Sequence, residues 1–261
     1  MLSPPRRIVL SLATGALLPC PSIMEGANQP PAEDALIGVA ANFAHVAEVL
    51  ADSFHRGGSC TLIVSSGSSG TLYAQIRNGA PFDAFLSADT IRAARLEQEG
   101  FALPDSRFTY ARGRLALWVP SADVGDDLAT VLREGSFRHL AMAMPATAPY
   151  GAAAQQVLER LDLFEVMSPK IVRGGNVTQA HQVVASGNAE LGFVAYSQVI
   201  DRPASQVWIV DEDLYEPVLQ QAVLLETGAS NTCARAFLDY LRTDQAATLI
   251  RQFGYATEDG R

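Results

Sequence analysis

Between residues 36 and 253, short apolar runs alternate with stretches of helical period, and a chain written this way is confined to an α/β architecture. The apolar runs fall at 36–40, 60–64, 83–87, 115–119, 140–144, 170–173, 191–195, 207–210 and 218–225 and read as strands. Helical stretches fall at 43–54, 71–78, 89–99, 151–161, 177–186 and 232–253. In the first of these, Phe43, Val46, Ala47, Leu50 and Phe54 form one apolar stripe. Gly79, Gly100 and Gly187 stand where three of the helices must stop, and Asp89 stands where one must start.

The order of elements implies two α/β lobes: residues 36–113 plus 221–261 as lobe I, and 114–220 as lobe II. The chain crosses between them twice, so a hinge of two strands and a cleft between lobes are expected. In such sheets ligands bind outside the carboxyl ends of the strands.

Four strand-to-helix junctions carry the chemistry. The first is Val39-Ala40-Ala41-Asn42-Phe43, with Asn42 placed to cap the helix and to donate from its amide. The second runs from Ser65 to Thr71 and is built from serine and glycine. The third, 145–151, brings Tyr150 and its phenol to a helix start, and the fourth, 174–178, places Val177 after Gly174-Gly175-Asn176. Each helix start carries roughly half a positive charge on backbone N–H groups that lack intrahelical acceptors, which makes it an anion cradle. None of the four tips holds Lys or Arg, and no Asp or Glu stands at 42, 69, 150 or 177. A carboxylate there would accept the proton of an ion such as hydrogen phosphate. Without one, fully deprotonated tetrahedral ions are favoured: molybdate, tungstate or sulfate. Ser69 is followed directly by Gly70 and lacks the G-x-S-x-G elbow of a nucleophile, so a serine hydrolase is the weaker reading.

Charge agrees with short-range capture. The 261 residues carry a formal charge of −9, which argues against nucleic acid as a partner and against long-range steering of anions. Apolar residues make up 48% of the chain, enough for a sizeable core.

The N-terminus reads as an export signal over residues 1–27: Arg6-Arg7, then an apolar run from Ile8 to Leu18 that is too short to span a bilayer. Pro19 precedes Cys20 and fits a lipoprotein cleavage box badly, so ordinary export is expected rather than a lipid anchor at Cys20. An oxidising compartment permits a disulfide between Cys60 and Cys233. Since one opens a strand and the other sits in a late helix, two separate buried residues are the expectation. His45, His55, His139 and His181 are scattered and read as surface or supporting residues, Asp211-Glu212-Asp213 as a solvated loop, and Trp118 and Trp208 as packing residues in strands.

Over residues 35–256 the chain resembles the periplasmic molybdate-binding proteins of ABC transporters. The resemblance is carried by VAANFA (39–44), SSGTLYAQIRNGAPFDAFLSAD (68–89), LDLFEVMSPKIVRGGNVTQA (161–180), AELGFVAYSQV (189–199) and AFLDYLRTDQAATLIRQFGY (236–255). It implies a type II periplasmic binding protein, a periplasmic monomer that is not an enzyme and delivers molybdate or tungstate to a membrane permease. A sulfate or thiosulfate receptor is the alternative. The implied oxyanion contacts are Asn42, Ser69, Tyr150 and Val177, with Ala41, Ser68 and Tyr196 as further donors. Part of that family has Ser at the position of Asn42 and a Tyr near position 195; this chain has Ala195 followed by Tyr196, and is closer to the branch with Asn in the first loop and Tyr in the third. Molybdenum would enter as the oxyanion, held through its oxygens by the same residues. Neither a direct metal-ion ligand nor a cofactor is expected.

Overall fold

The computed structural model describes residues 34–55, 60–120, 128–134 and 136–257; the export-signal reading of 1–27 and the question of Cys20 lie outside them. Strands β1 (Asp34–Ala40) and β2 (Thr61–Gly67) flank helix α1 (Ala44–His55), and α2 (Ser69–Arg77), β3 (Ala84–Ser87), α3 (Thr90–Gln98) and β4 (Phe108–Gly113) follow. The chain then builds β5 (Leu115–Trp118), α4 (Leu128–Glu134), β6 (Leu140–Ala143), α5 (Pro149–Arg160), α6 (Phe164–Met167), β7 (Ile171–Gly174), α7 (Val177–Ala185), β8 (Leu191–Ala195) and β9 (Val207–Ile209). It closes with β10 (Val218–Leu224), α8 (Thr232–Leu241) and α9 (Asp244–Gln252).

These strands form two five-stranded sheets, ordered β2-β1-β3-β10-β4 and β7-β6-β8-β5-β9. Each has a parallel trio, with β1 or β6 at its centre, and an antiparallel pair. In the first sheet β10 runs antiparallel to β3 and β4; in the second β5 runs antiparallel to β8 and β9. This is the two-lobed α/β type II fold that the order of elements implies. The chain passes from β4 to β5 through Arg114 and returns to the first sheet at Val218, which pairs with Gly113, so both crossings lie side by side.

Helices cover both faces of each sheet because the strands are apolar on both faces. On lobe I, Phe43, Val46 and Leu50 pack with Phe237, Leu241 and Ile250, while Leu72, Ile76 and Leu96 pack on Phe85 and Val223 across the sheet. On lobe II, Leu140, Met142 and Phe193 meet Val157 and Leu158 on one side, and Ala180 and Val184 cover the other. Gly79, Gly100 and Gly187 adopt φ of 86°, 76° and 75° and end α2, α3 and α7 in the left-handed turn that glycine enters without cost. Asp89 caps α3, accepting from the Arg92 N–H at 2.8 Å. Trp118 is buried and Trp208 half-buried, both packing in strands.

Two expectations are corrected. The first helix opens with a 3₁₀ turn at Ala41–Phe43 whose capping residue is Ala40, so Asn42 is not its cap; the side chain is drawn into a different set of hydrogen bonds, described below. Cys60 and Cys233 form a disulfide, their Cα atoms 5.7 Å apart. Strand β2 and helix α8 lie against one another, a proximity that no spacing in the sequence reveals. The bond closes a loop with a separation of 173 residues, and long loops gain the most from cross-linking in the chain-entropy account. Cys233→Ser is expected to lower the unfolding free energy by about 2–5 kcal/mol, read from urea denaturation of the oxidised protein.

Candidate functional site

Four helix starts meet at one cavity between the sheets. The 3₁₀ turn before α1 contributes Ala41 and Asn42, α2 contributes Ser69 beside its cap Ser68, α5 contributes Tyr150, and α7 contributes Val177. Ala40, Ala88, Ala148, Pro149 and Asn176 complete the lining, and no charged side chain belongs to it. The space between them admits the centres of water-sized groups over about 10 Å³, the scale of a single water. Asn42, Ser68, Ser69, Tyr150 and Val177 are all buried.

Local chemistry directs the donors inward. In α2 the Ser68 hydroxyl accepts from the Thr71 N–H at 3.2 Å, and in α7 Asn176 Oδ1 of the side chain accepts from the Gln179 N–H at 2.9 Å. These caps satisfy N–H groups deeper in the first turn and leave those of Ser69 and Val177, the first residues of their helices, without an intrahelical acceptor. Helix α5 opens with Pro149, which has no N–H, so Tyr150 presents the first backbone donor of that helix. The Ser69 hydroxyl accepts from the Ala88 N–H at 2.9 Å, which leaves its own proton to donate. The site can therefore hold a small anion by neutral donors arriving from both lobes, with helix dipoles adding to them.

The lobes touch around the cavity. Gly70 N–H donates to Thr147 O at 2.8 Å, Arg92 Nη2 to Ala146 O at 2.8 Å, and Thr178 Oγ1 to Ala41 O at 3.1 Å.

Behind the cavity lies a buried polar cluster that sequence reasoning missed. Asn42 Nδ2 donates to Gln220 Oε1 at 2.9 Å and to Tyr255 Oη at 3.1 Å. Tyr110 Oη donates to Gln220 Oε1 at 3.1 Å, and Tyr255 Oη donates to the backbone oxygen of Asn42 at 2.8 Å. Ser197, from lobe II, hydrogen-bonds Tyr255 Oη at 2.9 Å. Burial pushes the phenols of Tyr110, Tyr150 and Tyr255 upward, so each keeps its proton at neutral pH. One signal was present in the sequence: Gln220-Gln221 interrupts an otherwise apolar strand, and a polar residue in such a place must find partners.

The remaining candidates lie elsewhere. Tyr196 is outside the lining; its ring packs beneath Arg114 and beside Gly254. His181 stacks on Trp118 with centroids 4.8 Å apart, and burial, with Arg202 nearby, lowers its pKa. Asp211, Glu212 and Asp213 are exposed, with Glu212 paired to Arg112.

Residues 35–256 match the family model described as bacterial extracellular solute-binding protein. The chain is 45% identical over 227 residues to the molybdate-binding protein ModA of Rhodobacter capsulatus, covering 87% of this chain and 90% of that protein. It is 44% identical over 255 residues to the molybdate-binding protein ModA of Azotobacter vinelandii, covering 97% and 98%. The solved structure of the periplasmic molybdate-binding protein of Azotobacter vinelandii superposes with a TM-score of 0.81 at 40% identity, covering 85% of this chain and 98% of that one.

The approach of the lobes depends on a missing side chain. A Cβ on Gly70 would lie 2.8 Å from Thr147 Cα and 2.9 Å from Thr147 O, backbone atoms that cannot turn aside. Gly70→Ala is expected to cost about 1–3 kcal/mol of stability through overpacking. Gly67→Ala, whose Cβ would meet only the Leu72 side chain at 3.4 Å, is the milder control in the same thermal melt.

Proposed function

This chain belongs to the bacterial extracellular solute-binding protein family, and we propose that within it the chain captures molybdate, or tungstate, in the cavity between its lobes and delivers it to a membrane ABC permease. One observation carries the reading: helix starts from both lobes converge on one small cavity with no charged side chain in its lining. The two relatives at 45% and 44% identity, both named molybdate-binding proteins, support the choice of ion.

In this reading the donors are the Ser69 hydroxyl and the backbone N–H groups of Ala41, Asn42, Ser69, Tyr150 and Val177. The Ser68 hydroxyl completes the ring, and the Asn42 carboxamide, bonded to Gln220 and Tyr255, holds the 3₁₀ turn in place. The ion binds through its oxygens, and the metal meets no protein ligand. Lobe I supplies the 3₁₀ turn and α2, and lobe II supplies α5 and α7, so the ion has its full donor set only when the lobes are together. The permease then reads the closed shape as the sign of a loaded protein. The setting is the periplasm, and the protein acts as a monomer. Sulfate shares the charge and tetrahedral shape, and neutral donors suit it as well; it is the second reading. A hydrolase gains no support, because the group bonded to Ser69 Oγ is the Ala88 amide, which is no base.

Thermal melts with molybdate, tungstate, sulfate and phosphate test the choice. Molybdate at a hundredfold excess over its dissociation constant should add about 2.7 kcal/mol of stability. Silence toward every oxyanion would refute the reading, and stabilisation by sulfate above the rest would transfer it to the second. Ser69→Ala should weaken molybdate binding by about 1–3 kcal/mol, the scale of a hydrogen bond to a charged partner, measured by calorimetry; Asn42→Ala should weaken it too, by freeing the turn that Gln220 and Tyr255 hold.

A further inference from the structure

Two of the helix starts that meet at the cavity are tied to each other from outside it, by residues that do not belong to its lining. Thr178, which follows Val177 in α7, donates from Oγ1 to the backbone oxygen of Ala41 at 3.1 Å. Gln198 Nε2 donates to the same hydroxyl at 3.2 Å, and Gln198 Oε1 accepts from the Ala195 N–H at 3.1 Å.

Backbone groups at both ends fix the direction of this chain. A backbone N–H can only donate, so the Gln198 atom facing Ala195 is the oxygen and the atom facing Thr178 is the nitrogen. A backbone carbonyl can only accept, so the one proton of the Thr178 hydroxyl lies toward Ala41 O. The donors therefore point the same way from Ala195 through Gln198 and Thr178 to Ala41.

The first two links lie within lobe II. Gln198 belongs to the 3₁₀ turn Tyr196–Gln198 that follows β8. The Tyr196 N–H donates to Arg114 O at 2.9 Å, at the crossing between lobes, and Val199 is buried with Ala180 and Val184 of α7. Turn and helix are thus packed as one unit, and Gln198 aims the Thr178 proton before lobe I arrives. A group set in advance loses little freedom when its partner comes.

The last link crosses to lobe I and forms only when the lobes meet. It joins neighbours of the proposed ion donors on both sides. Thr178 adjoins Val177, while Ala41 is itself in the lining and precedes Asn42. The same turn makes a second crossing, from Ser197 Oγ to Tyr255 Oη at 2.9 Å.

We propose that Thr178 and Gln198 are positioning residues for oxyanion capture. Gln198 aims the Thr178 hydroxyl, and the hydroxyl locks α7 to the lobe I turn once the lobes have closed on the ion, so the pair slows release. This rests on the proposed function of the same cavity.

Thr178→Val keeps the shape of the side chain and removes the hydroxyl. The lost bond joins neutral, half-buried groups, so a moderate effect is expected. Stopped-flow release of molybdate from the full-length variant should be about three- to tenfold faster than from the wild type. Association should change by less than about twofold, because the lock is made after encounter. Thr178→Ser keeps the hydroxyl and should restore slow release. Gln198→Ala should also speed release, yet add little in the Thr178→Val background, since it acts through that hydroxyl.

Unchanged release in Thr178→Val would overturn the proposal, and so would a loss carried by slower association or a Thr178→Ser as fast as Thr178→Val. Additive effects of the two substitutions would remove Gln198 from it. Any of these results beside tight wild-type binding leaves the proposed function standing, whereas a wild type that binds no oxyanion removes both. Should Thr178→Val fail to fold, Gln198→Ala decides alone: release at the wild-type rate would overturn the lock.

Discussion

The structure depends on backbone N–H groups that have no acceptor inside their own helices. Every helix starts with such orphans, and in most proteins water or a cap absorbs them. Here four helix starts are turned toward one another, and the caps at Ser68 and Asn176 satisfy N–H groups in the first turn while leaving the very first ones pointing into the cavity. Sheet topology makes this possible. In each lobe the parallel strands end at the same edge, so the helices that follow β1, β2, β6 and β7 all begin on the side facing the other lobe.

The second constraint is the pair of crossings. Strands β4 and β10 pair at the point where the chain leaves lobe I and re-enters it, with Gly113 opposite Val218. Gln220 stands two residues along β10, and Tyr150 reaches the same region from α5. Hinge and cavity therefore share a wall. In that wall Gln220 Oε1 accepts from Asn42 on the cavity side and from Tyr110 on the neighbouring strand β4. Such bonds are what a buried strand needs if it is to carry a carboxamide where an apolar residue would otherwise be the stable choice.

Much of this was legible in the sequence, for reasons that are local. Alternating periods predicted both sheets, Gly79, Gly100 and Gly187 marked helix ends because few residues enter the left-handed region, and Asp89 marked a start. The residues of the four junctions were named from strand-then-small-then-helix patterning, and the fold brings Asn42, Ser69, Tyr150 and Val177 to one cavity. What stayed hidden was set by distant partners. The Asn42 side chain answers to Gln220 and Tyr255, which lie 178 and 213 residues away. Local rules therefore read it as a cap. Cys60 and Cys233 are joined because β2 and α8 happen to be neighbours. Strand β4 escaped notice because Phe108-Thr109-Tyr110-Ala111-Arg112-Gly113 mixes polar and apolar residues, as an edge strand does.

The absence of a cation from the lining bears on how the proposed function would operate. A lysine or arginine in the cavity would hold an anion in the open form as well as the closed, and would do so for anions of many shapes. Helix-end dipoles act only within about the first turn, so donors on α5 and α7 lose their hold as soon as the lobes part. Binding and closure are then a single event, since each lobe alone offers half a site. The formal charge of −9 fits the same logic: the surface does not gather anions, and selection falls to the geometry and the hydrogen-bond sense of the cavity.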